Sequence, residues 1–361
     1  MRRNLLEELP GSMSESFSEE ELQSHLSILD ELREEAPLRI NVTPREDGFQ
    51  VDLYSFDAPG LFSFITGGLG AAGLNLTSGH VYTTSGTPSL IFDTFYGEAE
   101  YEGEPDQWAR ETRELLYRLL APLQEPGRSL KAHSVTLDRC RQNVIEAVAE
   151  VASARTPVEQ QLMPIDVTFS RLDSGFTRLE VASQDTPFFL YGFSTALNLH
   201  QISIYHVEIE TVDSLIRDTF DVKDFSGKPL SDEKEDRVRL AAVLTKQFTH
   251  VLDRAPDPLA ALKRFEQLIQ EYAAAGDGEA VQGMLADEAF SRWNAVRESL
   301  LQDGRIVRIT DDELVRVLTL DDVDRRFARD SFAHQLLARL VKAEDHEALG
   351  EALAILDEVG A

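Results

Sequence analysis

Cysteine is almost missing from this chain. Cys140 stands alone among 361 residues, which excludes a disulfide framework. Long apolar runs are missing as well. None approaches the roughly 18 residues of a membrane span, and the opening Met-Arg-Arg-Asn-Leu-Leu-Glu-Glu lacks the apolar core of a signal peptide. Basic charge is scarce: 35 Lys and Arg face 64 Asp and Glu, a formal charge of −29. Nucleic-acid backbones and anionic membranes are held by clustered Lys and Arg, so neither is expected as a partner. No P-loop, CxxC or HExxH occurs, and His346-Glu347 lacks the second histidine of the zinc motif. The absences lead to the expectation of a soluble, cytoplasmic, non-catalytic protein with no metal and no cofactor.

Apolar residues make up 42% of the chain, enough for packed cores, and the length suits roughly two to three domains. Residues 57–96 are the most informative stretch. Before them, Phe49-Gln-Val-Asp-Leu-Tyr alternates apolar and polar residues with the period of a half-buried strand. Pro59 and Gly60 end it. Leu61, Phe64, Ile65, Leu69 and Ala72 then recur at helical spacing, with Gly73 placed as a C-terminal cap. Strands are expected over 74–84 and 89–96, with Ser85-Gly-Thr-Pro88 turning between them. Upstream, Ser18-Glu-Glu-Glu21 has capping-box spacing for a short helix, and 38–43 alternates as a strand. Downstream, an amphipathic helix is expected over 106–123, a strand over 130–136 and a helix over 137–152. Cys140 shares the apolar stripe of that last helix and is expected to be buried.

The pattern then repeats. Strand 165–170 leads through Leu172-Asp-Ser-Gly175 into strand 177–181, which runs into Asp185-Thr-Pro-Phe188, against Asp57-Ala-Pro-Gly60 earlier. A helix follows through Phe189, Phe193 and Leu197, then strand 202–210. Arg217-Asp-Thr-Phe220 answers Phe92-Asp-Thr-Phe95, and Val238, Leu240, Val243 and Leu244 close the second copy as 108–123 closes the first. Two Asp-x-Pro turns and two Asp-Thr-Phe strands in one order mark an internal duplication.

The residues Asp57-Ala-Pro-Gly-Leu61 with Asp93-Thr-Phe-Tyr96, then Asp185-Thr-Pro-Phe188 with Asp218-Thr-Phe-Asp221, resemble the C-terminal tandem ACT pair of bacterial PII uridylyltransferases. The tail Val222-Lys-Asp-Phe-Ser-Gly-Lys228 is similar to the Val-x-Asp-x-x-Gly of those enzymes. The resemblance implies an α+β fold: two ferredoxin-like ACT domains, each ββαββα, with an all-α region after them. It divides the chain into a tail and short helix (1–36), a first ACT domain (37–125), a helical linker (126–162), a second ACT domain (163–250) and a helical region (251–361). In the helical region Asp257-Pro258 starts one helix, and others are expected at 279–301, 311–317, 326–342 and 346–359. Ala255-Pro-Asp-Pro-Leu-Ala-Ala-Leu262 with Met284-Leu-Ala-Asp-Glu-Ala-Phe290 resembles the N-terminal part of glutamine synthetase adenylyltransferases.

ACT modules commonly bind amino acids. The resemblance therefore makes Asp57, Ala58, Pro59, Gly60 and Leu61 the ligand-binding turn, with Asn75 as a second polar candidate. A helix N-terminus suits a carboxylate, and Asp57 either caps the helix or receives an ammonium. The second-copy equivalents are Asp185, Thr186, Pro187 and Phe188, where the aromatic ring replaces the glycine and weakens the expectation of a ligand. Nucleotidyltransferases need a Gly-Ser followed by paired aspartates. Gly11-Ser12 sits in a polar tail, and Asp322-Val-Asp324 in an acidic helical stretch. Three readings stand. The first is a sensor of a small amino acid, glutamine foremost, signalling to a protein partner through the helical region. The second is the regulatory N-terminal part of a PII uridylyltransferase or glutamine synthetase adenylyltransferase whose catalytic domain is absent here. The third is an ACT-based dimerisation or docking module, as in a homodimer.

Overall fold

The computed structural model describes residues 17–274, apart from 100, 102, 125–129, 157–164 and 213–214. The chain splits into two compact units, Met1–Val151 with Asp166–Leu230, and Ala152–Ile165 with Ser231–Ala361. The helices expected at 279–301, 311–317, 326–342 and 346–359 lie outside the described residues. So do Gly11-Ser12 and Asp322-Val-Asp324.

In the first unit the order is α1 (Glu19–Glu31), β1 (Leu38–Arg45), β2 (Gly48–Phe56), α2 (Leu61–Ala71), β3 (Leu74–Thr83), β4 (Leu90–Ala99), α3 (Pro105–Leu119) and α4 (Leu130–Ala154). It resumes with β5 (Asp166–Arg171), β6 (Thr177–Gln184), α5 (Phe189–Leu199), β7 (Ile202–Val212) and β8 (Leu215–Asp224). The fold is α+β. One antiparallel sheet of eight strands runs β1-β2-β4-β3-β7-β8-β6-β5, a palindrome in which β3 and β7 join the two halves. The residue offset that takes Gly60 to Phe188 also takes Leu53 to Val181 and Thr66 to Ser194. It exchanges the pairs Gly79–Ile209 and Val81–Val207, leaving His80 opposite Glu208 at the centre. In the helix layer Thr66 and Ser194 meet hydroxyl to hydroxyl at 3.5 Å. The two halves are thus related by an approximate two-fold axis through His80–Glu208 and Thr66–Ser194.

Glycine lets the central helices meet. A Cβ on Gly67 would fall 2.5 Å from Val144 and 2.7 Å from Tyr191, so α2 approaches α5 and α4 only because that atom is missing. Along β2, Val51 and Leu53 point to the helix layer, where Phe62 stacks on Phe95 at 6.3 Å. α3 lies on the same side, Tyr117 Oη accepting from the Ile40 N–H at 3.1 Å. The opposite face of the first half is covered by α1, whose Leu22, Leu26 and Leu29 pack on Tyr54, Tyr82 and Phe92. His25 Nδ1 lies 2.8 Å from Tyr54 Oη. The Ser18–Glu21 capping box forms as its spacing foretells, and Cys140 is buried.

One element differs from the sequence reading. Residues 130–136, read as a strand, begin α4 instead. No glycine or proline separates Leu130 from the helical stripe of Cys140, Val144 and Val148, so the helix extends back cooperatively. Val135, within the stretch read as a strand, is 59% exposed on this helix.

In the second unit, Asp232–Val251 (α6) and Pro258–Ala274 (α7) form an antiparallel pair. Phe248 stacks on Phe265 at 4.4 Å, and Arg237 near the start of α6 donates to the Ala273 carbonyl near the end of α7. Asp257 caps α7 by accepting the Ala260 N–H, with Pro258 at its first position. Among the described residues no helix is long and apolar enough to cross a membrane.

Candidate functional site

Each Asp-x-Pro turn closes in the same way. The Leu61 N–H donates to the Ala58 carbonyl at 3.0 Å, and the Phe189 N–H to the Thr186 carbonyl at 3.0 Å. The N-cap residue is left-handed in both: Gly60 at φ 79°, Phe188 at φ 63°. Glycine adopts that conformation freely, whereas phenylalanine pays steric strain for it. Neither cap uses a side chain. Asp57 is therefore not the cap of α2; its carboxyl accepts the Ala58 N–H within the turn. The first N–H groups of α2, those of Phe62 and Ser63, are left without intrahelical partners by helical geometry.

The two-fold axis brings the N-terminus of each central helix against the C-terminus of the other. A Cβ built on Gly60 would lie 3.0 Å from Asn198 Nδ2. At the opposite junction a Cβ on Gly70 would lie 2.9 Å from the Phe188 ring. The small residue is thus on the turn in the first junction and on the facing helix end in the second. Tyr205 of β7 also belongs to the first junction. Burial raises its hydroxyl, and the charge of Asp57 raises it further.

Beneath the first turn lies Asp93 of β4, 1% exposed, between Leu53 of β2 and Val81 of β3. Neither of its carboxyl oxygens has a hydrogen-bond partner. Burial, with the charge of Asp57 behind it, holds this carboxyl well above the ordinary carboxylate range. Burial raises Asp57 too, against a hydrogen bond from the Ala58 N–H. Asp57 is nevertheless exposed to solvent, so water screens part of that effect. Its counterpart pair is Asp185 and Asp218. Asp218, 3% exposed, is pushed by burial up to about 7, although it accepts the Glu210 N–H at 3.3 Å.

Of the residues singled out in the sequence, Asp57, Ala58, Pro59, Gly60 and Leu61 form one turn. Asp57, Pro59 and half-buried Gly60 reach the surface, and Ala58 and Leu61 are buried. Asn75 is not beside them. It pairs with Glu98 near the far end of β4, whereas Leu90, at the near end, pairs with Phe56 next to the turn. The two-fold axis puts Ser203 and Tyr205 of β7, the counterparts of Asn75 and Thr77, toward the first turn. Asp185, Thr186, Pro187 and Phe188 form the second turn, as the repeat requires.

Asp93, Asn198 and Tyr205 escape a reading of the sequence as a list of motifs. Asp93 serves there only to mark the repeat. Its signal was a carboxylate inside Ile-Phe-Asp-Thr-Phe, a strand buried on both faces. Asn198 and Tyr205 have no local signal, because only the pairing of the two halves brings them to the turn. Among the described residues no group of His, Cys, Asp and Glu is arranged to hold a metal ion.

No protein-family model matches the chain, and no solved structure matches it. It is similar to a bifunctional uridylyltransferase/uridylyl-removing enzyme of Ruegeria pomeroyi, 26% identical over 243 residues. The match takes in 65% of this chain and 25% of the relative, so the chain spans about a quarter of that enzyme's length.

Proposed function

We propose that this chain is a non-catalytic regulatory protein of nitrogen metabolism that senses a small amino acid, glutamine first, through a pair of ferredoxin-like ACT domains. The ligand site is the first junction. Asp57 receives the ligand ammonium, and the ligand carboxylate sits at the Phe62 and Ser63 N–H groups on the positive end of α2. Asn198 and Tyr205 of the second domain complete the site. The observation that carries this reading is the unpartnered carboxyl of Asp93 buried below Asp57. A cation brought to Asp57 compensates both groups, and a buried carboxyl left without a partner is otherwise costly. Signal passes to a protein partner through the helical region.

The likeness to a uridylyltransferase/uridylyl-removing enzyme supports a second reading, in which the chain is the regulatory part of such an enzyme. Both readings place an amino acid at the same turn.

The test is thermal stability and titration calorimetry with each free amino acid, glutamine first. Saturation at about 100 times Kd adds roughly 2.7 kcal/mol to stability. Asp57→Asn is expected to cost at least about tenfold in affinity, the size of one charged hydrogen bond, with the fold retained. If no amino acid raises the melting temperature, a docking or dimerisation module replaces the sensor.

A further inference from the structure

We propose that α1 is a latch over the outer face of the first half, released by acid through protonation of His25. The inference is independent of any ligand at the junctions. On this face the two halves differ. Tyr54 and Phe92 lie under α1, whereas the residues related to them by the two-fold axis, Ala182 and Arg217, are exposed. The cover is therefore no requirement of the repeated fold.

His25 is the polar group in an otherwise apolar contact. It is 7% exposed, on the buried side of α1 with Leu22, Leu26 and Leu29. Its ring stacks on Phe92 at 4.1 Å, and the Phe17 ring meets it edge-on at 5.0 Å. Tyr54 is 1% exposed, and among the described residues His25 Nδ1, at 2.8 Å, is the acceptor its hydroxyl reaches. The hydroxyl therefore donates and Nδ1 accepts, which puts the ring proton on Nε2. Protonation of Nδ1 turns that acceptor into a donor. The hydroxyl must then turn its own hydrogen into a buried site, and a cation is left beneath the helix. Both are costly in apolar surroundings. Opening of α1 removes the two costs together by bringing His25 into water.

The charges that face His25 pull the other way and do not prevail. Glu21, one turn back on α1, and Asp52 of β2 both favour the imidazolium. Burial outweighs them and holds His25 below its ordinary value of 6.5. Glu21 is itself tied to Ser18 in the capping box and feels the charge of Arg45 from β1. From β3 come Tyr82 and, across the Phe17 ring, His80, which burial lowers as well. From β4 the contact is Phe92, which has no charge. A histidine lowered in the closed state favours closure in full above 6.5, and that contribution is lost as pH falls through the lowered value. Opening of α1 therefore increases on acidification by up to about tenfold per pH unit, the limit for one proton taken up.

Amide hydrogen exchange of the full chain at pH 7 and pH 5, corrected for the intrinsic effect of pH, reads the opening. Protection over 19–31 is expected to fall at pH 5 while that over α5 and β8 is retained. His25→Asn offers Tyr54 an uncharged acceptor in the place of Nδ1, so its α1 protection should not respond to pH, whatever its level. Unchanged α1 protection in the wild type at pH 5 overturns the latch. So does a fall shared equally by α5 and β8, which is global unfolding. An acid response that persists in His25→Asn belongs to another group, His80 foremost, and overturns His25 as the trigger. The ring titration of His25, followed by NMR, should lie below 6.5 and move up in Tyr54→Phe, where no hydroxyl favours the neutral ring. A titration that stays in place in Tyr54→Phe overturns the hydrogen bond as the hold.

Discussion

At the Asp57 turn the N-cap is a glycine facing an asparagine, and at the Asp185 turn it is a phenylalanine facing a glycine. The backbone hardly registers the change: both caps are left-handed, and both turns close through the same hydrogen bond. What differs is where the bulk lies. Left-handed backbone costs a side chain roughly 1–2 kcal/mol, and Phe188 offsets this by laying its ring against Gly70. The carboxylates underneath follow suit. Asp218 has a backbone donor and Asp93 has none. The buried carboxyl of the second junction is satisfied within the protein and that of the first is not. That asymmetry, on a scaffold otherwise two-fold symmetric, is what the proposal of one ligand site rests on.

Gly60→Phe breaks the comparison hardest. From the sequence alone this change is expected to remove binding and spare the fold, on condition that φ at Gly60 is negative. At φ 79° the condition fails. The new side chain would be strained and would run into Asn198 Nδ2 and the Phe64 ring. Loss of glutamine binding is expected together with destabilisation of about 1–3 kcal/mol. Denaturant unfolding checks the second and calorimetry below the unfolding transition the first. Retained binding in the folded variant would remove the ligand from this turn.

The strand order, the helix between the second and third strands of each copy, and the equivalence of the two turns are legible in the sequence. They rest on two-residue and helical periodicities and on Asp-x-Pro punctuation, all local signals. The palindromic joining of β3 to β7 is not legible. Its determinants are the contact of Gly67 with Tyr191 and the meeting of Thr66 with Ser194, between residues remote in the chain. Because the proposed site lies across that joint, its first half (Asp57 to Leu61) is readable and its second half (Asn198, Tyr205) is not. Asn75, the second polar candidate, opens the strand after α2. It does lie near a junction, and the two-fold axis makes that junction the other one. α1 on the outer face was expected as a helix but not as a cover, since the apolar partners it finds, Tyr54, Tyr82 and Phe92, are far along the chain.

Phe188→Gly sharpens the comparison. Removing the ring relieves the left-handed strain and loses the packing on Gly70, so the net effect on stability should be about 1 kcal/mol or less in either direction. Adding Gly70→Asn to it rebuilds the first junction at the second. Gly70→Asn alone has no room, because its Cβ would meet the Phe188 ring at 2.9 Å. The two changes should therefore be strongly non-additive, the double variant more stable than the sum of the singles. Calorimetric stoichiometry should rise from one glutamine per chain to two in the double variant. The new site should be weaker, as Asp218 already holds the Glu210 N–H. Stoichiometry that stays at one in a folded double variant would show that bulk is not what separates the junctions.

The smallest effect is expected at Asn198, and it tests which end of the ligand lies there. Asn198 is half-buried near the end of α5, with its amide against Gly60. Truncation to alanine opens no core cavity and should change stability by only about 0.5 kcal/mol. If the amide donates to the ligand carboxylate, Asn198→Ala should weaken glutamine binding by roughly tenfold, since hydrogen bonds to charged groups contribute about 1.5–3 kcal/mol. Asn198→Asp keeps the size and replaces the donor with a like charge, so it should weaken binding further. Glutamine amide, the ligand with its α-carboxylate neutralised, separates this contact from a merely steric one. Its affinity should already be low and should change little between the wild type and Asn198→Asp. An equal loss for glutamine and its amide would place the ligand carboxylate away from Asn198, leaving Asn198 only to shape the junction.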